Sequence, residues 1–143
     1  MTNHHLDVPT PPEGIRLPLG HSYDEIHAAN GDLLLAAYTR VDAGTHRAVL
    51  QLLGEIDALS IVWFRDRLTA TVTEVTTVGQ RPTIHLDLHS VGFFSASAAG
   101  LLAGLTAAGT DLVVHRPSRI VSRVLTLTRT TSQLRVDPTE PPL

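Results

Sequence analysis

The chain has 143 residues, 43% of them hydrophobic, with 11 basic residues, 14 acidic residues and no cysteine. This is enough apolar material for one domain with a real core, and too little chain for two. A net charge of −3 without any basic block argues against nucleic acid as a partner, and the missing cysteines exclude disulfides, thiolate zinc sites and thiol redox switches.

The first residues, Met1 to Pro9, contain neither a basic region nor an apolar core, so no signal peptide is expected. No apolar run approaches the roughly 18 residues of a membrane span. Both readings point to the cytoplasm. Residues 1–31 read as an N-terminal arm. Pro9, Pro11, Pro12 and Pro18 predict a partly disordered or extended first part. Ser22-Tyr23-Asp24-Glu25 has the spacing of a capping box and Asn30-Gly31 supplies a stop, which predicts a short helix over 23–29, or else a turn.

Beyond Gly31 the pattern becomes β-like. Leu33 to Val41 and Arg47 to Leu53 are strand-length apolar runs joined by the hairpin-type segment Asp42 to Thr45, and Gly54 to Asp57 ends the second run. After Ser60, Phe64, Leu68, Val72 and Val75 recur at helical spacing and predict one buried stripe. Thr83 to Leu88 alternates strictly, with Ile84, Leu86 and Leu88 on one face and His85 and Asp87 on the other. A short loop then leads into a small-residue helix over 97–108, with Leu101, Leu102 and Leu105 turned to the core and Gly109 as its stop. Asp111 to His115 is a further strand. Pro117-Ser118 opens a helix that buries Ile120, Val121, Val124, Leu125 and Leu127, and residues 136–143 form a Pro-rich C-terminal tail. The order β-β-α-β-α-β-α predicts a sheet with crossover helices packed on it.

Few residues invite catalysis. Ser95 and Ser97 stand near a helix start, but there is no Gly-x-Ser-x-Gly elbow and no His beside either hydroxyl. One of the two is expected to cap the helix. No catalytic residue is assigned, and the chain is not read as an enzyme. His85, Asp87 and His89 share a period of two and could in principle hold a divalent metal, but alternation alone also places polar groups on the less covered side of a sheet. No metal is expected. Gly54-Glu55-Ile56-Asp57 is either a plain turn with a solvated carboxylate or the rim of a partner site beside residues 92–98. Trp63 lies next to the Phe64 stripe and is read as packing at the sheet edge rather than as an interface anchor. No Gly-rich phosphate loop occurs, so no nucleotide or other cofactor is expected.

Three segments in order carry a resemblance to a known family. Leu53-Gly-Glu-Ile-Asp57 with Ser60 resembles the Leu-x-Gly-Glu-Leu-Asp-x-x-Thr opening of the STAS domain, the fold of bacterial anti-sigma factor antagonists. Leu86-Asp87-Leu88 followed by Val91-Gly92-Phe93-Phe94 is similar to its Leu-Asp-Leu-x-x-Val-x-Phe-Ile strand and loop. Leu112 to Ser118 with Arg123-Val124-Leu125 is similar to its last strand and helix. The likeness spans about residues 32–135 and implies a single α/β domain, a mixed β-sheet of about four or five strands with helices packed mainly on one face.

The resemblance also implies a function. The family's unphosphorylated antagonist captures an anti-sigma factor, often an ATP-binding serine kinase, in a partner switch that regulates transcription. The kinase reverses capture by phosphorylating a Ser in an Asp-Ser-Ser-Gly-Leu loop. Here the Asp falls on Ser95, the acceptor Ser on Ala96 and the Gly on Ala98, while Ser97 matches the second Ser. Arg129 replaces a Gly after the last helix. Partner contact is thus expected through Asp57, Phe93, Ser95, Ala96, Ser97 and Ala98. The leading reading is an antagonist-like module that binds its anti-sigma factor without a phosphate switch at Ala96. The alternatives are a STAS module of another assembly, such as a lipid-transporter subunit or a signalling scaffold, and the use of Ser95 or Ser97 as a displaced acceptor. A homodimer is compatible with each.

Overall fold

In the computed structural model, which describes residues 17–142, one sheet holds six strands in chain order. They are β1 (His21–His27), β2 (Leu33–Asp42), β3 (Arg47–Ile56), β4 (Thr83–Phe94), β5 (Asp111–His115) and β6 (Arg135–Asp137). β1, β2 and β3 pair antiparallel, whereas β3 through β6 are parallel. Parallel neighbours need crossovers, and these are α1 (Ile61–Val75), α2 (Ala96–Ala107) and α3 (Arg119–Leu127). The strand order never reverses. Right-handed crossovers that always step the same way deliver all three helices to one face.

That face carries Leu35, Ala37, Leu50, Leu52, Ile84, Leu86, Leu88, Leu112 and Val114, spaced by two along each strand. Phe64, Leu68 and Val75 of α1, Ala98, Ala99 and Leu102 of α2, and Val121 and Leu125 of α3 close over them. Each such Leu or Phe contributes about 1.5–3 kcal/mol by leaving water. The α1 stripe includes Thr71 rather than Val72 at full burial, because the Thr71 hydroxyl donates to the Arg67 carbonyl one turn back and turns only its methyl inward. Leu127 is exposed, contrary to expectation; it lies at the end of α3, beyond Val121 and Leu125. None of the helices among the described residues is long and apolar enough to cross a membrane.

Two strands were not foreseen. The helix or turn expected over 23–29 is strand β1, paired with β2 from His21 opposite Arg40 to Ile26 opposite Leu35. A local capping signal lost to a full ladder of cross-strand bonds, and its side chains serve other ends. Arg67 of α1 reaches across to Asp24 (3.6 Å), to Thr39 of β2 (3.1 Å) and to Ser22 (3.4 Å), while its guanidinium lies 5.9 Å from the centre of the Trp63 ring. Trp63 is therefore part of the packing that ties β1 and β2 to α1. β6 is only three residues long and too polar to read as a strand; Arg135 of this strand holds Asp111 of β5 at 2.7 Å. The first part of the expected N-terminal arm, residues 1–16, lies outside the described residues.

β3 and β4 also run further than their patterns suggest. Gly54 does not end β3; it sits inside it at φ +127°. A Cβ there would meet the Leu34 carbonyl oxygen at 2.4 Å and the Leu35 Cα at 3.0 Å, so only glycine lets β2 approach. β4 continues through the supposed loop to Phe94 with two bulges. Gln51 and Leu53 pair with Asp87 and Ser90, and Gly54 and Glu55 pair with Val91 and Phe93, so β4 twice uses one residue more than β3. Inward positions therefore move from Leu88 to Val91 to Phe94, at spacing three.

α2 and α3 end alike. After α2, Gly109 donates to Thr106 and Thr110 to Leu105; after α3, Arg129 donates to Thr126 and Thr130 to Leu125. Both are Schellman closures with a left-handed residue, which is Gly109 in one and Arg129, at φ +58°, in the other. In thermal melts, Arg129→Gly should therefore stabilise the fold by about 1 kcal/mol. Gly54→Ala should destabilise it by about 3 kcal/mol, because backbone atoms cannot yield as a flexible side chain would.

Candidate functional site

The parallel pair β3–β4 brings the expected partner residues to one edge. Ile56 pairs with Phe94 at the C-terminal ends of both strands, and the Ser95 amide donates to the Ile56 carbonyl at 3.0 Å. The turn after β3 is tied internally. The Ser60 hydroxyl, fully buried, donates to the Glu55 carbonyl (2.6 Å) and accepts from the Asp57 amide (3.1 Å), while the Asp57 carboxylate accepts from the Leu59 amide (3.0 Å). The Gly-Glu-Ile-Asp-x-x-Ser spacing is thus a hydrogen-bonded turn that holds Asp57 beside Ser95.

Across from it, Ser95 is the N-cap of α2: its hydroxyl accepts from the Ala98 amide at 3.1 Å. That settles which of the two serines caps the helix, and it leaves the Ser97 hydroxyl outward. Ala96 and Ser97 are exposed on the first turn, whose amides face the edge by helix geometry. Phe93 is 45% exposed because the bulge at Gly92 sends Phe94 inward and Phe93 out. Ala98 departs from expectation. It is fully buried in the core, so its methyl offers nothing to a partner.

Two further residues belong to this edge and were missed. Leu59 is 69% exposed in the turn after Asp57, and Val62 is 54% exposed in the first turn of α1. Leu59, Val62, Phe93 and Ala96 are thus exposed apolar residues at the C-terminal ends of β3 and β4, in the same segments as the Glu55 and Asp57 carboxylates. Leu59 and Val62 could have been found as large apolar residues off the Phe64 stripe. Beside the edge an open groove of about 560 Å³ runs between α1 and α2, lined by Leu68, Thr69, Ser97, Gly100, Leu101 and Gly104 among others.

His85, Asp87 and His89 are not brought together as a ligand set. Asp87 is 1% exposed and binds Arg116 at 2.6 Å, and it also accepts the His89 amide at 3.1 Å. The first bulge carries His89 away from the row that holds His85. Instead His85 Nδ1 meets Nε2 of His115 at 2.8 Å, and His115 Nδ1 lies 3.1 Å from the Thr139 carbonyl. A carbonyl can only accept, so His115 carries its proton on Nδ1 and His85 donates to Nε2. Among the described residues no group of three His, Cys, Asp or Glu is placed to hold a metal ion.

Burial, His115, Arg47 and Arg135 push the His85 pKa down from 6.5 to about 4, against a weaker opposite pull from Asp111. The unfolded chain takes up this proton near pH 6.5 and the folded chain only near pH 4, so protons favour unfolding as pH falls through that window. The melting temperature should accordingly drop between these two values, and His85→Gln should flatten the drop in a pH series of thermal melts.

No protein-family model and no curated protein matches the chain. Solved structures do match its fold. A structure of the anti-sigma factor antagonist SpoIIAA in its unphosphorylated form aligns with a TM-score of 0.53 at 23% identity, over 67% of this chain and 83% of that one. A crystal structure of an anti-sigma factor antagonist from Mycobacterium paratuberculosis aligns with a TM-score of 0.62 at 19% identity, over 80% of this chain and 92% of that one. The six-stranded mixed sheet with its helices on one face is thus the STAS-like fold of anti-sigma factor antagonists.

Proposed function

We propose that this chain is a protein-binding module of the anti-sigma factor antagonist type, which captures an anti-sigma factor in the cytoplasm through the edge formed by Asp57, Phe93, Ser95, Ala96 and Ser97, with Leu59 and Val62 beside them. It is not an enzyme in this reading: neither serine has a His partner among the described residues, and the Ser95 hydroxyl is spent as a helix cap. The observation that carries the proposal is the pairing of this fold with an exposed apolar edge at the very turn where the family resemblance places partner contact. Large apolar side chains grouped at one exposed edge commonly mark docking surfaces.

The same alignment of motifs places Ala96 at the phospho-acceptor position. A methyl cannot be esterified, so a kinase partner has no hydroxyl there to modify, and the complex persists in the presence of ATP. Glu55 and Asp57 set the sign of the surroundings: a partner complementary to this edge offers an apolar centre and basic flanks.

Binding should be followed with a purified anti-sigma factor carrying a serine-kinase domain, with and without ATP and magnesium. Capture should be insensitive to ATP in the native chain and become sensitive in Ala96→Ser. Ala96→Asp should weaken capture about tenfold or more, since it adds a charge at a desolvated contact beside two carboxylates. Undiminished capture by Ala96→Asp would place the interface elsewhere. Phosphate recovered on Ser95 or Ser97, with release of the partner, would make one of them the acceptor instead.

A further inference from the structure

The uncovered face of the sheet carries a cavity of about 310 Å³ whose lining includes His21, Arg40, Asp42, Arg47, His85 and Pro142. Register explains why these residues meet. His21 pairs with Arg40, Arg40 with Val49 and Val49 with His85, which sets one row across β1 to β4; Arg47 lies two residues before Val49 and so shares its face. The segment after β6 forms a wall: the Arg40 guanidinium donates to the Pro142 carbonyl, and Pro141 is buried. Arg47 is the first residue of β3 and Ile56 its last, so this cavity lies about 30 Å along the strand from the partner edge.

The charge in this cavity is unbalanced. Elsewhere on this face the arginines are neutralised, Arg135 by Asp111 at 2.7 Å and Arg116 by Asp87 at 2.6 Å. Among the described residues neither Arg40 nor Arg47 has a carboxylate within ion-pair distance, although Asp42 lines the same cavity. Arg47 uses Nε on the Thr45 hydroxyl at 3.3 Å and keeps its terminal N–H groups. The chain as a whole is acidic, so this accumulation is local.

We infer that this cavity binds a small oxyanion, a phosphate or a carboxylate compound, held by Arg40 and Arg47 with His21 and His85 alongside. Guanidinium groups match both anions through paired N–H donors. The volume stands at the low end of ligand sites, which fits a small metabolite-sized anion and excludes a dinucleotide or a polymer. His85 adds a coupling. In the neutral relay from His85 through His115 to the Thr139 carbonyl, His85 Nε2 is unprotonated. An anion in the cavity offsets the positive field of Arg47 and Arg135 and so favours proton uptake on His85. Anion binding and His85 protonation therefore strengthen each other.

The full chain titrated with sodium phosphate, and separately with sodium malonate, at constant ionic strength tests this, with the histidine rings followed by NMR. Saturable shifts should appear on His21 and His85, and the His85 midpoint should rise from about 4. Arg47→Gln and Arg40→Gln should each weaken binding about tenfold, the loss of one charge-assisted contact, while Arg119→Gln on exposed α3 should leave it unchanged. Preference for phosphate or for malonate identifies the ligand class. Absence of saturation by either anion, or equal affinity in a folded Arg47→Gln protein, would overturn the assignment.

Discussion

The bulged pairing of β4 with β3 is the constraint on which the rest of this structure depends. A strand that kept strict alternation from Ile84 would point Phe94 and Leu88 the same way and bury Ser90 and Gly92. Two inserted residues instead walk the inward set from Leu88 to Val91 to Phe94. They also set Phe94 opposite Ile56, so that the Ser95 amide docks on the Ile56 carbonyl and α2 starts directly at the sheet edge. Without those insertions Gly92 instead of Phe94 would stand opposite Ile56, and α2 would start two residues further from the Asp57 turn. A core requirement and a surface feature are set by the same backbone irregularity.

Much of this was legible in residue patterns, and the failures have physical causes. β5 was read with its exact bounds because Asp111 to His115 is a short apolar run between clear stops. The helices were read from periodicity and caps, within a residue or two at most ends. β1 failed because Ser22 to Glu25 carries a genuine local capping signal that cross-strand pairing overrides. β4 was cut short because bulges erase the period of two, and Gly54 looked like a stop when it is a close contact between strands. Asp57, Phe93, Ser95, Ala96 and Ser97, singled out from sequence, all lie at the C-terminal ends of β3 and β4, whereas Ala98 is internal. Leu59 and Val62 were missed although they stand off the Phe64 stripe, because only their exposure shows that this position leaves them in solvent.

The two faces of the sheet illustrate how one alternating strand can serve two purposes. Along β4, Ile84, Leu86 and Leu88 fill the core while His85 and Asp87 face the opposite side, and each polar group there finds a specific partner. Asp87 is buried as a carboxylate and so depends on Arg116; removal of that guanidinium would leave a desolvated charge, which costs several kcal/mol. The segment after β6 shields this face with hydrogen bonds through Thr139 and Pro142 rather than with a helix. Right-handed crossovers cannot supply a helix there while the strand order runs one way, so a short irregular cover is the remaining solution.

The departures at the start of α2 acquire a common explanation from this geometry. Position 95 must cap the helix, and Ser does so as well as Asp does. Position 98 is packed in the core inside a helix, where Ala is favoured over Gly by about 1 kcal/mol. Position 96 is exposed, so a methyl in place of a hydroxyl loses no packing and leaves no buried polar group unpaired. Each change therefore preserves or improves the fold, and only the chemistry of the loop is altered. Stability in this turn thus rests on the Ser95 hydroxyl and the buried Ala98 methyl, while the side chains of Ala96 and Ser97 point to solvent and carry no packing duty.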